Sequence, residues 1–302
     1  MRVGILLLLI ALGACESKSK SKSESRSKPK RKVEAKAKAK AESQVRKATA
    51  DVGVKGDVGT QPKAKAKAKV KVATAKVAVA KVGGAVVWDR LLRKYCRAGR
   101  VGYSRMAKEA KGELQQVVAW VGARAPGGSR ASRLAFYLNA YNALVVNAIV
   151  ARSPGFRGVM TVPGFFKALR HRVAGRTMTL DQLENSLIRP TFKEPRVHFA
   201  LVCGAQSCPP LRCRAFTAAG LEPTLEGLAR AFINSARGVV LPPTKNAPPR
   251  VSSLFKWYAA DFTAAAGSVA KYLAKYHGKA SQRITAATRL DYLPYSWRLN
   301  GE

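Results

Sequence analysis

No aromatic residue occurs before Trp88, and residues 16–82 consist largely of Ser-Lys, Ala-Lys and Val-Lys alternations. A stretch of this composition has too little apolar surface to offset the entropy lost on ordering. It holds 21 Lys/Arg against 6 Asp/Glu. Ala and Lys favour helix, but like charges at this density oppose it. The expectation is a disordered, self-repelling basic tail that reaches on the order of 50 Å. Folding is thereby confined to the remaining roughly 215 residues, a suitable size for one domain. The boundaries expected are a leader over 1–14, a linker over 15–85 and a globular domain over 86–302.

Gly4 to Leu12 is an apolar run headed by Arg2. It falls short of the roughly 20 residues that span a bilayer but suits the core of a signal peptide. Leu12-Gly13-Ala14-Cys15 follows directly and resembles the bacterial lipobox, in which the chain is cut before the cysteine and the cysteine is acylated. Cys15 is therefore the expected lipidation site, and Glu16 after it points to the outer membrane, facing the periplasm. The partners expected are the membrane, through the lipid, and peptidoglycan or anionic lipid, through the basic stalk. The net charge of +38 also suits nucleic acid. An export signal and the absence of zinc-finger spacing or an RNA-binding aromatic motif argue against it.

Beyond the tail the pattern changes. Apolar positions 87, 88, 91, 92 and 95 have helical spacing within 86–97. Helices are also expected over 113–123 and 130–152, the latter capped by Ser129 and almost continuously apolar. Thr179-Leu-Asp-Gln182 is a capping box opening a helix through Ile188. Residues 196–202 (RVHFALV) alternate as a strand. Further helices are expected over 224–236, from Ser252 or Ser253 to Phe262, and over 269–276. Val239 to Leu241 and Val251 flank a Pro-rich connection, and 284–299 reads as extended. The fold class expected is α+β, a helix-rich single domain with a small sheet. No G-x-G-x-x-G or P-loop is present, and no cofactor is implied.

Three places could carry chemistry. Asn139 and Asn142 lie within a helix, where amides need partners if buried; they suit either a backbone clamp or a cleft. His198 precedes Cys203, Cys208 and Cys213 on a turn-rich segment. An imidazole beside a thiol is the minimum for a cysteine nucleophile, although strand alternation would place His198 and Cys203 on opposite faces. In an oxidising compartment Cys96, Cys203, Cys208 and Cys213 form disulfides instead, with three pairings open. The spacing does not match a familiar zinc site, so no metal is assigned. The third place is the set Glu184, Arg189, Trp257, Asp261 and Trp297, whose plain reading is solvated faces or internal salt bridges.

Five segments in order, AFYLNAYNALVVNAIV (135–150), TLDQLENSLIRPTF (179–192), RVHFALVCGAQSCPPLR (196–212), SLFKWYAADF (253–262) and YLPYSWRLN (292–300), resemble domain-of-unknown-function family 547. The resemblance implies an exported or envelope-associated domain without an established reaction. It places weight on Asn139, Asn142, Glu184, His198, Cys203, Gly204, Cys208 and Pro209. Plant relatives resemble a pattern with Asp where Cys208 stands, and many bacterial relatives have His where Asn185 stands. Two functions follow. One is a non-catalytic binding module of the cell envelope. The other is a thiol-dependent hydrolase or acyltransferase on envelope peptides or acyl groups, with His198 as base, Cys208 or Cys203 as nucleophile and an Asn orienting the imidazole or stabilising the oxyanion.

Overall fold

The computed structural model describes residues 83–123, 125–244, 247–278 and 284–301. The leader, Cys15 and the linker through residue 82 lie outside the described residues, and the last linker positions, 84 and 85, already belong to the first helix.

Helix α1 (Gly84–Tyr95) forms on the apolar spacing noted above, and Val87, Trp88, Leu91, Leu92 and Tyr95 are all buried. Burying a large apolar side chain contributes about 1.5–3 kcal/mol. The helix ends in a tight hairpin, β1 (Cys96–Arg97) with β2 (Arg100–Val101). Its two turn residues, Ala98 and Gly99, have positive φ, the backbone that a two-residue turn between antiparallel strands requires. Gly99 is also fixed by space, because a Cβ there would sit 2.3 Å from that of Pro210. Helices α2 (Tyr103–Glu109) and α3 (Lys111–Ala123) follow and pack with α1 around the central helix α4 (Arg130–Val150).

Ser129 caps α4 by accepting from the Ser132 N–H at 3.1 Å. From Leu134 onward almost every side chain of α4 is buried, as expected of a helix that is apolar all round. A second hairpin, β3 (Arg170–Val173) with β4 (Arg176–Thr179), delivers the chain to the capping box. There the Thr179 N–H donates to Gln182 Oε1 at 3.0 Å, and the Gln182 N–H donates to Thr179 Oγ1 at 3.1 Å. The turn that this box opens is π-helical (Gln182–Ile188) and runs into α5 (Arg189–Phe192). Such widened turns bring side chains to positions that a regular α-helix would not offer, often at functional sites.

The strand expected over 196–202 is not formed. Pro195–Phe199 is a 3-10 turn, and Val197, His198 and Phe199 are consecutively buried. Apolar alternation suggests two faces, but the segment is enclosed and, among the described residues, no strand pairs with it. Turn bonds satisfy the Val197, Ala200 and Leu201 N–H groups, and a side chain serves the two groups beyond the turn. Asn142 donates Nδ2 to the Ala200 carbonyl and accepts the Val202 N–H, both at 2.9 Å.

Helix α6 (Leu221–Ile233) starts earlier than its sequence suggests because Pro223 is tolerated in a first turn. The helix expected through Phe262 is two pieces, α7 (Leu254–Trp257) and α8 (Ala259–Ala266), broken at Tyr258. Helix α9 (Val269–Tyr276) is capped by Ser268. Strands β5 (Val239–Val240) and β6 (Arg250–Val251) are antiparallel, and β7 (Asp291–Tyr292) adds to β6 in parallel. Only β7 of the expected extended tail is a strand. The tail is instead held by single backbone bonds to the cysteine loop, including Gln206 N–H to Arg298 O at 2.8 Å and Asn300 N–H to Gly204 O at 2.9 Å. The result is α+β, with one core around α1, α3 and α4 and a second, aromatic one around Phe199, Phe255, Phe262 and Tyr272.

Candidate functional site

The π-helical turn, the 3-10 turn, the cysteine loop, the α7–α8 break and the C-terminal tail enclose a cleft of about 220 Å³. Among its lining residues are Glu184, His198, Cys203, Cys208 and Pro209, so five of the eight positions singled out from sequence meet in one place. Few, well-placed polar groups in an otherwise apolar wall are the usual form of a small-molecule site.

His198 is fully buried in its side chain. Its Nε2 lies 2.8 Å from Asp261 Oδ2. An ionised carboxylate only accepts, so Nε2 carries the proton and a neutral imidazole keeps its lone pair on Nδ1. That Nδ1 is buried without a hydrogen-bond partner. Glu184 Oε1 stands 3.9 Å away, too far for a hydrogen bond. The ring is stacked on Tyr258 with centroids 3.8 Å apart and meets the edge of Phe262 at 5.5 Å.

Asp261 is itself held. Arg189 donates Nε to Oδ2 at 2.8 Å and Nη2 to Oδ1 at 2.9 Å, a two-pronged match of guanidinium and carboxylate. The hydrogen bond from His198, then those from Arg189, keep the Asp261 carboxyl well below the usual carboxylate range, against burial acting the other way. Arg189 also donates Nη1 to Asn185 Oδ1 at 2.6 Å, and its guanidinium lies over the Tyr258 ring. The side chain at 185 therefore supports Arg189 and opens onto the cleft.

Glu184 is buried, and its charge acts on the phenols of Tyr141 and Tyr258. Burial first, and then the Glu184 charge, raise both phenols above their ordinary value. They stay protonated and can donate, which is what a buried carboxylate requires.

Asn139 and Asn142 serve the backbone. Asn139 donates Nδ2 to the Phe216 carbonyl and accepts the Phe216 N–H, both at 2.9 Å. Asn142 does the same for Ala200 and Val202. Both amides are thus engaged away from the imidazole, and the side chain that orients His198 is Asp261. Gly204 has φ +79, and a Cβ there would come within 2.7 Å of Ile149 Cδ1.

The cysteines pair as Cys96–Cys213 and Cys203–Cys208. In this state neither cleft cysteine is a thiol. The Tyr295 hydroxyl lies 3.3 Å from both Cys203 Sγ and Cys208 Sγ. Among the described residues, no group of three or more His, Cys, Asp or Glu is arranged to hold a metal, and no helix is long and apolar enough to cross a membrane.

Residues 127–233 match the model of the family described as "Protein of unknown function, DUF547". The chain carries a DUF547 domain. The matched stretch contains Asn139, Asn142, Glu184, His198, Cys203, Gly204, Cys208 and Pro209, whereas Tyr258, Tyr295 and Trp297, which line the DUF547 cleft, and Asp261, which holds His198, lie outside it. No curated protein and no solved structure matches the chain.

The partnership of Asp261 with His198, and the roles of Tyr141, Tyr258 and Tyr295, could not be read from sequence. Asp261 and His198 are 63 residues apart, and local spacing says nothing about contacts at that range. The one available signal was their occurrence within the quoted segments AFYLNAYN, SLFKWYAADF and YLPYSW.

Proposed function

We propose that this protein is a lipoprotein anchored through Cys15 in the outer membrane, facing the periplasm, whose DUF547 domain binds the glycan of the cell-wall polymer without transforming it. The observation that carries the reading is the aromatic rim of the cleft. Trp257 and Trp297 are stacked with centroids 5.8 Å apart, and Tyr295 lies 4.7 Å from each. Trp257 is 48% exposed. Large apolar side chains left open beside a cleft mark a binding surface, and flat rings with polar edges suit the apolar faces of sugars. Glu184 and Asp181, which line the same cleft, offer acceptors for hydroxyl groups. Residues 83–302 hold 33 Lys/Arg against 11 Asp/Glu, a balance that favours an anionic polymer. Two disulfides agree with an exported chain.

The test is retention on peptidoglycan and on anionic vesicles, at two salt concentrations, for the full chain and for one lacking residues 16–82. The expected result is stalk-independent retention on peptidoglycan that Trp257→Ala with Trp297→Ala reduces about tenfold, as loss of 1.4 kcal/mol would. Retention on neither material, or retention indifferent to both tryptophans, would remove the reading.

One observation favours the second function, a thiol-dependent hydrolase or acyltransferase. His198 offers an unpartnered Nδ1 while Asp261 holds Nε2, and Cys203 and Cys208 line the same cleft. With the pair reduced, the imidazole could take a cysteine proton and the thiolate attack an acyl carbon. Turnover of thioester or peptide substrates that needs reductant and is abolished by His198→Ala would establish it.

A further inference from the structure

The two disulfides sit in opposite electrostatic surroundings. Both sulfurs of Cys96–Cys213 face the carbonyl oxygen of Leu211, at 3.6 and 3.8 Å. A carbonyl oxygen disfavours a thiolate, so this bridge is built to stay closed. Around Cys203–Cys208 the neighbours are donors. The Cys203 N–H points at Cys208 Sγ from 3.1 Å. A disulfide sulfur bears no hydrogen, so the Tyr295 hydroxyl is the donor in its 3.3 Å contacts with both sulfurs. Burial raises the Tyr295 phenol above its ordinary value, which keeps that proton in place. Arg237 Nη1 donates to the carbonyls of Gln206 and Cys208, at 3.1 and 3.3 Å, and brings a positive charge to the loop. Cys203 is partly exposed and Cys208 buried.

We propose that Cys203–Cys208 is an exchangeable disulfide that oxidises a dithiol entering the cleft, with Cys203 as the sulfur attacked and Cys208 as the leaving group. One thiolate of the dithiol attacks Cys203 Sγ, a mixed disulfide forms, and the Cys203–Cys208 bond breaks. Its electron pair goes to Cys208 Sγ, where the Cys203 N–H and the Tyr295 O–H receive the charge. Hydrogen bonds to a thiolate lower its pKa, and a lower-pKa sulfur leaves faster. The second thiolate of the dithiol then attacks its own bonded sulfur, closes to a disulfide and releases the Cys203 thiolate. Two electrons and two protons leave the dithiol. Both electrons reach the cysteine pair, and each proton goes to a cysteine sulfur or, while that sulfur stays ionised, to solvent. This goes beyond polymer binding and stands whether or not a glycan fills the cleft.

The test uses the full, native protein with graded dithiothreitol, quenching by iodoacetamide and peptide mapping of each cysteine, with near-UV circular dichroism followed in parallel. Cys203 and Cys208 should become alkylated at least about tenfold faster than Cys96 and Cys213, with tertiary signal intact. Tyr295→Phe should slow their opening severalfold. Equal opening of the two bridges, opening only together with loss of the tertiary signal, or an unchanged rate in Tyr295→Phe would each overturn the proposal. The comparison of the two bridges within the native chain does not depend on the variant folding.

Discussion

Replacing Asp261 by Asn should destabilise the domain in a way that acid erases. Asp261 accepts one hydrogen bond from His198 and two from Arg189. Asparagine with its oxygen at the Oδ2 position keeps the bonds from His198 and Arg189 Nε but turns its NH2 group toward Arg189 Nη2, so one bond is lost and the two that remain lose the charge on their acceptor. Charge-assisted hydrogen bonds are each worth about 1.5–3 kcal/mol. Arg189 and Asp261 are 24% and 28% exposed in their side chains, so water recovers part of that. The net cost is about 2–3 kcal/mol, or a fall in Tm of about 5–10 °C for a domain of this size. The folded-state pKa of Asp261 is depressed. The stability it supplies is therefore complete above the unfolded pKa of about 3.9 and is lost as pH falls toward the folded value. Urea denaturation at pH 7, 5 and 3.5 should show a gap between native chain and variant that is intact at pH 5 and narrows below about pH 4. A gap under about 0.5 kcal/mol at pH 7, the size of an ordinary surface change, or a gap that widens in acid would refute the reasoning.

Asn142→Ala leaves the Ala200 carbonyl and the Val202 N–H buried without partners, so urea titration should record a loss of about 3 kcal/mol with an unchanged m-value. The two disulfides should differ in what they contribute under the chain-entropy rule: Cys96 and Cys213 are 117 residues apart and Cys203 and Cys208 only 5, giving about 5 against about 2 kcal/mol. Paired Cys→Ser variants compared by denaturant midpoint test this, and a larger loss from the short loop would contradict it.

Local signals were read correctly where the interaction that decides them is itself local. Ser129 caps α4 and Thr179 with Gln182 forms its box because each uses a partner three residues away. The spacing of Val87, Trp88, Leu91, Leu92 and Tyr95 is enough to define one buried helix face. The segment 196–202 misled because alternation implies a strand only if another strand is available, and here turn bonds and Asn142, 58 to 60 residues earlier, serve the backbone. Family resemblance brought His198, Glu184 and the cysteines to notice, but not their geometry.

Sequence by itself determined the helix-rich α+β class, the caps and which residue types were present to do chemistry, since those follow from side-chain size, charge and nearest-neighbour spacing. Tertiary structure decided which cysteines are joined, that Asp261 and not an asparagine holds His198, and that Tyr295 lies over the cleft sulfurs. Apart from the Cys203–Cys208 bridge, those contacts join residues 63 to 117 positions apart. They exist only because the packing of the two cores brings loops from distant parts of the chain to the same wall.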